Sequence, residues 1–475
     1  MEQIELKDVQ GLIIRGYSGL RSAYFVLAKI TDAGRFKIWL GHHVHEFTPG
    51  DIRPKSTAIN IAFTFSGLKV MGLNQGNLGT FPLEFADGMT APYKQAMLGD
   101  FGNSDPANWE WGQKADDNTH ILLMLYAVDA DSLNSLYTGL KEQMDTNGFT
   151  EWRLMDTTEL IKRKEHFGFH DGIAQPTIKG LNRSDDDSNC VAAGEFILGY
   201  KNEYEQDNYS PMVDAGMDKA NVLPASTQAP GMKDLGKNGT YLVFRQLEQD
   251  VEGFWKYMES KTLAPDGNCD TQQMIGLASK VVGRWPSGTP VVLAPEKDIP
   301  ELDDKNKFEY RNSDSDGLKC PFAAHIRRTN PRDSIDTAKS TSIQIVKRHR
   351  VLRRGRSYGP PVATSMEPMD IINASDKSGK RGLHFICINT NLALQFEFIQ
   401  NFWVNNPKFG GLYDERDPLI GNDSNPQETR RTGTFSVEED LVRKRFTDVP
   451  EFVTVKGGAY FFLPGIKALT FLASI

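Results

Sequence analysis

Gly168-Phe169-His170-Asp171-Gly172-Ile173-Ala174-Gln175-Pro176 is the stretch on which the rest of the chain depends. An aspartate stands between two glycines, in a loop closed by a proline. Glycine takes up backbone dihedrals that other residues avoid and lets a bulky partner approach the main chain. A carboxylate on such a loop is presented to something, whereas one on a helix face usually meets water. Five positions, two of them free, carry little information alone, so the loop takes its meaning from the rest of the chain.

Two segments downstream complement it. The first runs Cys320-Pro321-Phe322-Ala323-Ala324-His325-Ile326-Arg327-Arg328-Thr329-Asn330-Pro331-Arg332. A histidine on a short apolar turn beside arginines is ordinarily a satisfied core side chain. The second runs Lys347-Arg348-His349-Arg350-Val351-Leu352-Arg353-Arg354-Gly355-Arg356-Ser357-Tyr358-Gly359 and is ordinarily a solvated basic surface. Period-two alternation places Val351, Arg353, Gly355 and Ser357 on one strand face, and Arg350, Leu352, Arg354 and Arg356 on the other. The face with Val351 and Gly355 suits the interior, and an arginine there needs a buried anion or a function.

Together the three segments resemble the signature of the dye-decolorising haem peroxidases, the DyP family. The match covers the chain most specifically from about residue 160 onward. The resemblance implies non-covalent haem b, in keeping with the absence of CxxCH. It implies His325 as the axial ligand of the iron, the usual role of a neutral imidazole in peroxidases. Arg327, Arg328 and Arg332 would meet the haem propionates, since a guanidinium fork matches a carboxylate. Gly172 and Gln175 would contact the cofactor, and Leu383 and Phe385 would line the peroxide pocket. Asp171 is implied as the acid–base group for hydrogen peroxide and Arg353 as the residue stabilising charge as the O–O bond breaks. The expected activity is oxidation of dyes and phenols through an oxidised, ferryl haem. A haem-handling, deferrochelatase-like protein is the alternative. The family usually has an apolar residue and a proline where Arg356-Ser357 stand, so the channel wall is expected to differ.

Chemistry supplies further assignments. A ligating histidine normally donates its second ring N–H to an acceptor, often a carboxylate; the sequence does not identify it, and Glu397 is a candidate that is ordinarily a solvated helix charge. Bulky dyes cannot reach a covered haem, so Tyr358 and Trp403 are candidate electron-transfer aromatics, each equally readable as a packed core ring. His42, His43 and His45 lack a second group at ligand spacing and are read as structural.

The bulk numbers fit this. The 475 residues are 39% hydrophobic and 24% charged, as in an ordinary globular protein, and a net charge of −8 argues against nucleic acid as a partner. No apolar run reaches transmembrane length. Met1-Glu2-Gln3-Ile4-Glu5-Leu6 has no export signature and the four cysteines form no CxxC, so a cytoplasmic location is expected, as a monomer or homo-oligomer. Strands are predicted at 23–30, 58–65, 120–128, 194–200, 241–246 and 383–388. Helices are predicted around Phe36-Trp39-Leu40, Leu133–Met144, Val251–Met258 and Leu392–Trp403. Strand-then-helix units in both halves predict an α+β fold of two ferredoxin-like domains, 1–235 and 236–475, each an antiparallel sheet with helices on one face. The resemblance implies the same dimeric α/β-barrel-like arrangement. Long polar insertions are expected at 201–239, 360–381 and 421–438.

Overall fold

The computed structural model describes residues 3–113, 118–181, 188–424, 433–440 and 442–475. Its first half runs β1 (Ser22–Ile30), α1 (Ala33–His43), β2 (Thr57–Phe63), β3 (Ile121–Ala127), α2 (Ala130–Met144) and β4 (Phe149–Asp156). Asp32 caps α1 by accepting from the Arg35 amide, and Asp129 caps α2 by accepting from Ser132. Such caps satisfy amides that the first helical turn leaves without partners. Every residue of β3, ILLMLYA, is buried. The strand is covered on both faces, which is why its sequence does not alternate.

The second half repeats the order with β5 (Thr240–Gln249), α3 (Val251–Lys261), the short β6 (Leu352–Arg353) and β7 (Arg356–Tyr358), β8 (Gly382–Asn389) and β9 (Val453–Leu463). All nine strands lie in one antiparallel sheet ordered β6-β8-β5-β9-β2-β3-β1-β4, with β7 also on β8. Each half therefore has the βαββαβ plan with the same strand order. The halves meet where β9 pairs with β2 at Phe462 and Phe63. One sheet face packs on α1, α2 and the C-terminal helix Ile466–Ser474 through Phe36, Leu40, Leu133 and Leu469. The other packs on the N-terminal segment and on the connection between the halves, through Leu12, Ile13, Val191 and Phe196.

Three expectations need correction. Residues 194–200 form no strand. A 3-10 turn covers Ala193–Glu195, and Phe196, Ile197 and Leu198 are buried in irregular backbone, so their apolar run reflects burial and not pairing. The helix expected across 392–403 is only Phe396–Phe398, running into a π-helix at Ile399–Val404. The basic strand breaks between Arg353 and Arg356, at Gly355, where β8 comes so close that a Cβ would sit 2.5 Å from the His384 carbonyl oxygen. The break upsets the expected alternation, and Arg350 joins Arg353 beside a cavity. β4, β9 and the helix α4 (Thr271–Val282) carry no sequence expectation; most of β4 is half-exposed and β9 contains two glycines.

Candidate active site

The cavity, of about 280 Å³, lies against the second half of the sheet. The 168–176 loop forms one wall. Glu165 gathers this loop, accepting from the amides of Phe167 and Phe169 at 2.9 Å each and from Gln249 Nε2 at 2.7 Å. Gly168 has φ +96°, and a Cβ there would lie 2.8 Å from Ile371 Cδ1 and 3.1 Å from the Met366 carbonyl oxygen. Only glycine fits.

Asp171 stands at the end of this loop. Its Oδ1 accepts from the Gly172 amide at 2.6 Å and from Arg353 Nη1 at 2.8 Å. The side chain is 41% exposed and faces the cavity. Burial pushes its pKa up. Arg353, the Gly172 amide and the charge on His325 more than offset this, holding the carboxyl below the usual range. Gln175 does not line the cavity. Its amide brackets the Arg353 backbone, donating to the carbonyl at 3.1 Å and accepting from the N–H at 3.0 Å. It positions the arginine from outside the cavity wall. Gly172, Leu383 and Phe385 do line the cavity.

His325 opens a five-residue helix, α5 (His325–Thr329), and also lines the cavity. Its Nδ1 lies 2.9 Å from Asp417 Oδ2. Asp417 Oδ1 accepts from the amides of Leu419 and Ile420 at 2.9 and 3.1 Å, so the carboxylate cannot rotate freely. This fixes the ring and leaves Nε2 as the nitrogen available to a ligand. Burial lowers the histidine pKa, but Asp417 outweighs it, and the net shift is upward. Burial raises Asp417, whereas His325 and Arg328 pull it below the ordinary carboxylate value. The candidate acceptor, Glu397, is elsewhere: it binds Lys94 and Tyr460 in a separate buried cluster. Asp417 lies 92 residues from His325, and nothing in Arg416-Asp417-Pro418 marks it.

The expected propionate arginines divide. Arg332 lines the cavity, with its guanidinium 3.7 Å above the Phe308 ring. Arg327 and Arg328 do not reach it. Arg327 is committed to Asp314, 2.8 Å away, and Arg328 to the main-chain carbonyls of Trp403, Asn406 and Glu415. Both are buried behind the histidine helix and brace it. The second arginine at the cavity is Arg284 and not Arg327 or Arg328, and it carried no sequence signal. Arg284 lines the cavity at 4% exposure, lies over the same Phe308 ring, and has a buried Nη2 with no hydrogen-bond partner. Burial and the positive charge of Arg332 lower its pKa to about 10. A buried guanidinium with an unmet donor beside a second guanidinium is an anion site.

Of the candidate electron-transfer aromatics, Trp403 packs edge-on at 5.2 Å against His349, which lines the cavity. Tyr358 is stacked on His384 at 4.5 Å, outside the cavity wall. In the histidine cluster, His43 stacks on Trp39 and its Nδ1 lies 2.7 Å from the Trp39 carbonyl oxygen.

An imidazole fixed by a carboxylate, an opposed Asp–Arg pair, apolar walls and an unmatched arginine together fit an iron porphyrin with its propionates. No family model matches the chain. Over 491 residues it is 28% identical to a dye-decolorizing peroxidase of Mycetinis scorodonius, covering 99% of this chain and 88% of that protein. A multifunctional dye peroxidase of Amycolatopsis sp. is 34% identical over 66% of this chain and 61% of its own length. An ancestral D-type dye-decolorizing peroxidase superposes with a TM-score of 0.78 at 27% identity, with all of both chains covered. The chain belongs to the DyP-type peroxidase family. The fold is accordingly the α+β DyP-type fold. Among the solved DyP-type structures, one covering 99% of this chain at 25% identity and TM-score 0.77 is a complex with 2,6-dimethoxyphenol. The work on another DyP-type structure, at TM-score 0.78, engineered its haem pocket.

Proposed function

We propose that this protein is a haem peroxidase that uses hydrogen peroxide to oxidise phenols and dyes. The observation that carries this is the placement of Asp171–Arg353 and of His325–Asp417 around one cavity. Bound haem would supply the two electrons that cleave the O–O bond and would recover them one at a time from the aromatic donors. His325 Nε2 would hold the iron, with Asp417 keeping the imidazole in the tautomer that can ligate it. Arg284 and Arg332 would hold the propionates.

Asp171 has one oxygen engaged by Gly172 and Arg353, and Oδ2 is left for the substrate. Oδ2 takes a proton from the near oxygen of hydrogen peroxide and returns it to the far oxygen, which departs as water. The fixed guanidinium of Arg353 lies next to the developing negative charge and stabilises it without reorganising. A haem carrier would need His325 and the arginines but neither Asp171 nor Arg353. Residues 1–235 and 236–475 are proposed as the two units, the first supplying the 165–174 wall of the cavity and the second the rest of its lining.

The test is an absorption spectrum of the haem-loaded protein before and after one equivalent of hydrogen peroxide. A Soret band that changes promptly supports the peroxidase. One that forms but ignores peroxide supports the carrier. No Soret band refutes both.

A further inference from the structure

A buried polar cluster that the peroxide chemistry does not use lies just behind the cavity wall. Tyr460, on β9, is 3% exposed, and its hydroxyl donates to Glu397 Oε1 at 2.8 Å. Glu397 is fully buried and carries the ammonium of Lys94, itself 2% exposed, across both carboxylate oxygens. The Tyr460 ring lies 6.2 Å from the ring of Phe396, which lines the cavity and lies 6.2 Å from Phe385, another wall residue. A single aromatic ring separates this tyrosine from the cofactor site.

A core tyrosine requires only some acceptor for its hydroxyl, and a main-chain carbonyl would serve. Burying a lysine–glutamate pair to provide one is costly, because two charges leave water. The arrangement instead suits a phenol that must release its proton locally whenever it loses an electron. We propose that Tyr460 is a redox-active residue that stores an oxidising equivalent generated in the cavity, with Glu397 as the acceptor of its phenolic proton. This rests on the peroxidase reading, which supplies the oxidant.

In the step, one electron passes from the Tyr460 ring to the peroxide-oxidised cofactor site, which is reduced by one. The O–H bond breaks, the proton moves to Glu397 Oε1, and a neutral phenoxyl radical remains. The cluster gains one positive charge, the electron it gave up. An electron from an aromatic donor later restores the phenol, and Glu397 returns the proton. Two shifts agree with this order. Burial raises the Tyr460 pKa far above the ordinary phenol value, so the hydroxyl does not ionise first. Burial also raises Glu397 despite Lys94, making it a readier proton acceptor than a surface carboxylate. Tyr460 is too enclosed to touch a dye, so its role is storage within the protein, protecting it when donors are scarce.

The experiment is rapid-freeze electron paramagnetic resonance of the haem-loaded protein, mixed with hydrogen peroxide in the absence of donor. Wild type, wild type grown with ring-deuterated tyrosine, and Tyr460→Phe are compared, with the Soret response of each sample recorded in parallel. Tyr460→Phe deletes one hydroxyl and leaves Glu397 with Lys94, so the pocket survives. A radical signal that narrows on ring deuteration, forms more slowly in D2O and is lost in Tyr460→Phe is the expected result. A deuteration-sensitive signal that persists in Tyr460→Phe would overturn the assignment. A Soret response without any tyrosyl signal would overturn it while leaving the peroxidase reading intact. A Soret band indifferent to peroxide would remove both.

Discussion

At the scale of single residues, the site consists of two carboxylates doing opposite work. Asp171 must be ionised to take a proton, and its depressed pKa keeps it so into acid. The rate of reaction with peroxide should therefore hold until the pH falls through a value below the ordinary carboxylate range, about 3.9. Asp171→Asn should cut this rate by about 10²- to 10⁴-fold with the Soret band retained. Stopped-flow mixing across pH checks both, and a rate collapsing below pH ~6, the ordinary range of a histidine base, would remove Asp171 from the role.

Asp417 serves the other side. In the haem-free protein the His325 pKa is raised, so its contribution to stability is complete below the unfolded value of about 6.5. That contribution is lost as pH rises through the folded value. Asp417 is depressed, so its contribution is present above about 3.9 and is lost as pH falls through the folded value. The pair thus stabilises the apoprotein most between those limits. Haem uptake needs a bare Nε2 and should strengthen as pH rises through a value above 6.5, in the opposite sense. Asp417→Asn should weaken haem binding by about 10- to 100-fold. Haem titrations and urea denaturation of the apoprotein, each across pH, separate the two trends.

At the scale of elements, the 165–175 loop and the broken strand β6–β7 hold each other. Glu165 folds the loop, Gln175 ties it to the Arg353 backbone, and Asp171 meets the Arg353 side chain. Arg353 is therefore fixed at both its main chain and its guanidinium, which preorganises the charge. Gly168 makes this loop shape available. Gly168→Ala would force a side chain into a left-handed backbone and against Ile371 and Met366, at a cost of about 1–3 kcal/mol. The expected result is a lower midpoint in thermal denaturation together with a slower reaction with peroxide, as Asp171 shifts. An unchanged midpoint would show that the loop relaxes at no cost. Neither the Gln175 tether nor the strand break is visible in the periodicity, because the first depends on a side chain folding back and the second on how closely β8 approaches Gly355.

At the scale of the whole molecule, the proposed oxidation of large donors needs a route for electrons through the cavity wall. Trp403 touches His349 at the wall, and Phe402 beside it is 52% exposed, so this corner leads from the cavity toward solvent. Trp403→Phe should slow oxidation of bulky dyes while leaving small phenols that enter the cavity much less affected. Parallel kcat/KM measurements on the two donor classes test this, and equal effects on both would remove Trp403 from the path. The two βαββαβ units were legible because α2, α3 and their preceding strands carry strong periodicity. So were His325, Asp171 and Arg353, each sitting inside a local motif. What the sequence by itself determined is the set of elements and the residues whose chemistry is announced by their neighbours. Only the tertiary structure decided that Asp417 and not Glu397 holds the histidine, and that Arg284 replaces Arg327 and Arg328 beside the cavity. It alone joined the halves into one sheet through Phe63 and Phe462. The physical reason is common to all three: each is a contact between distant segments, set by which side chains the packed core leaves without a partner.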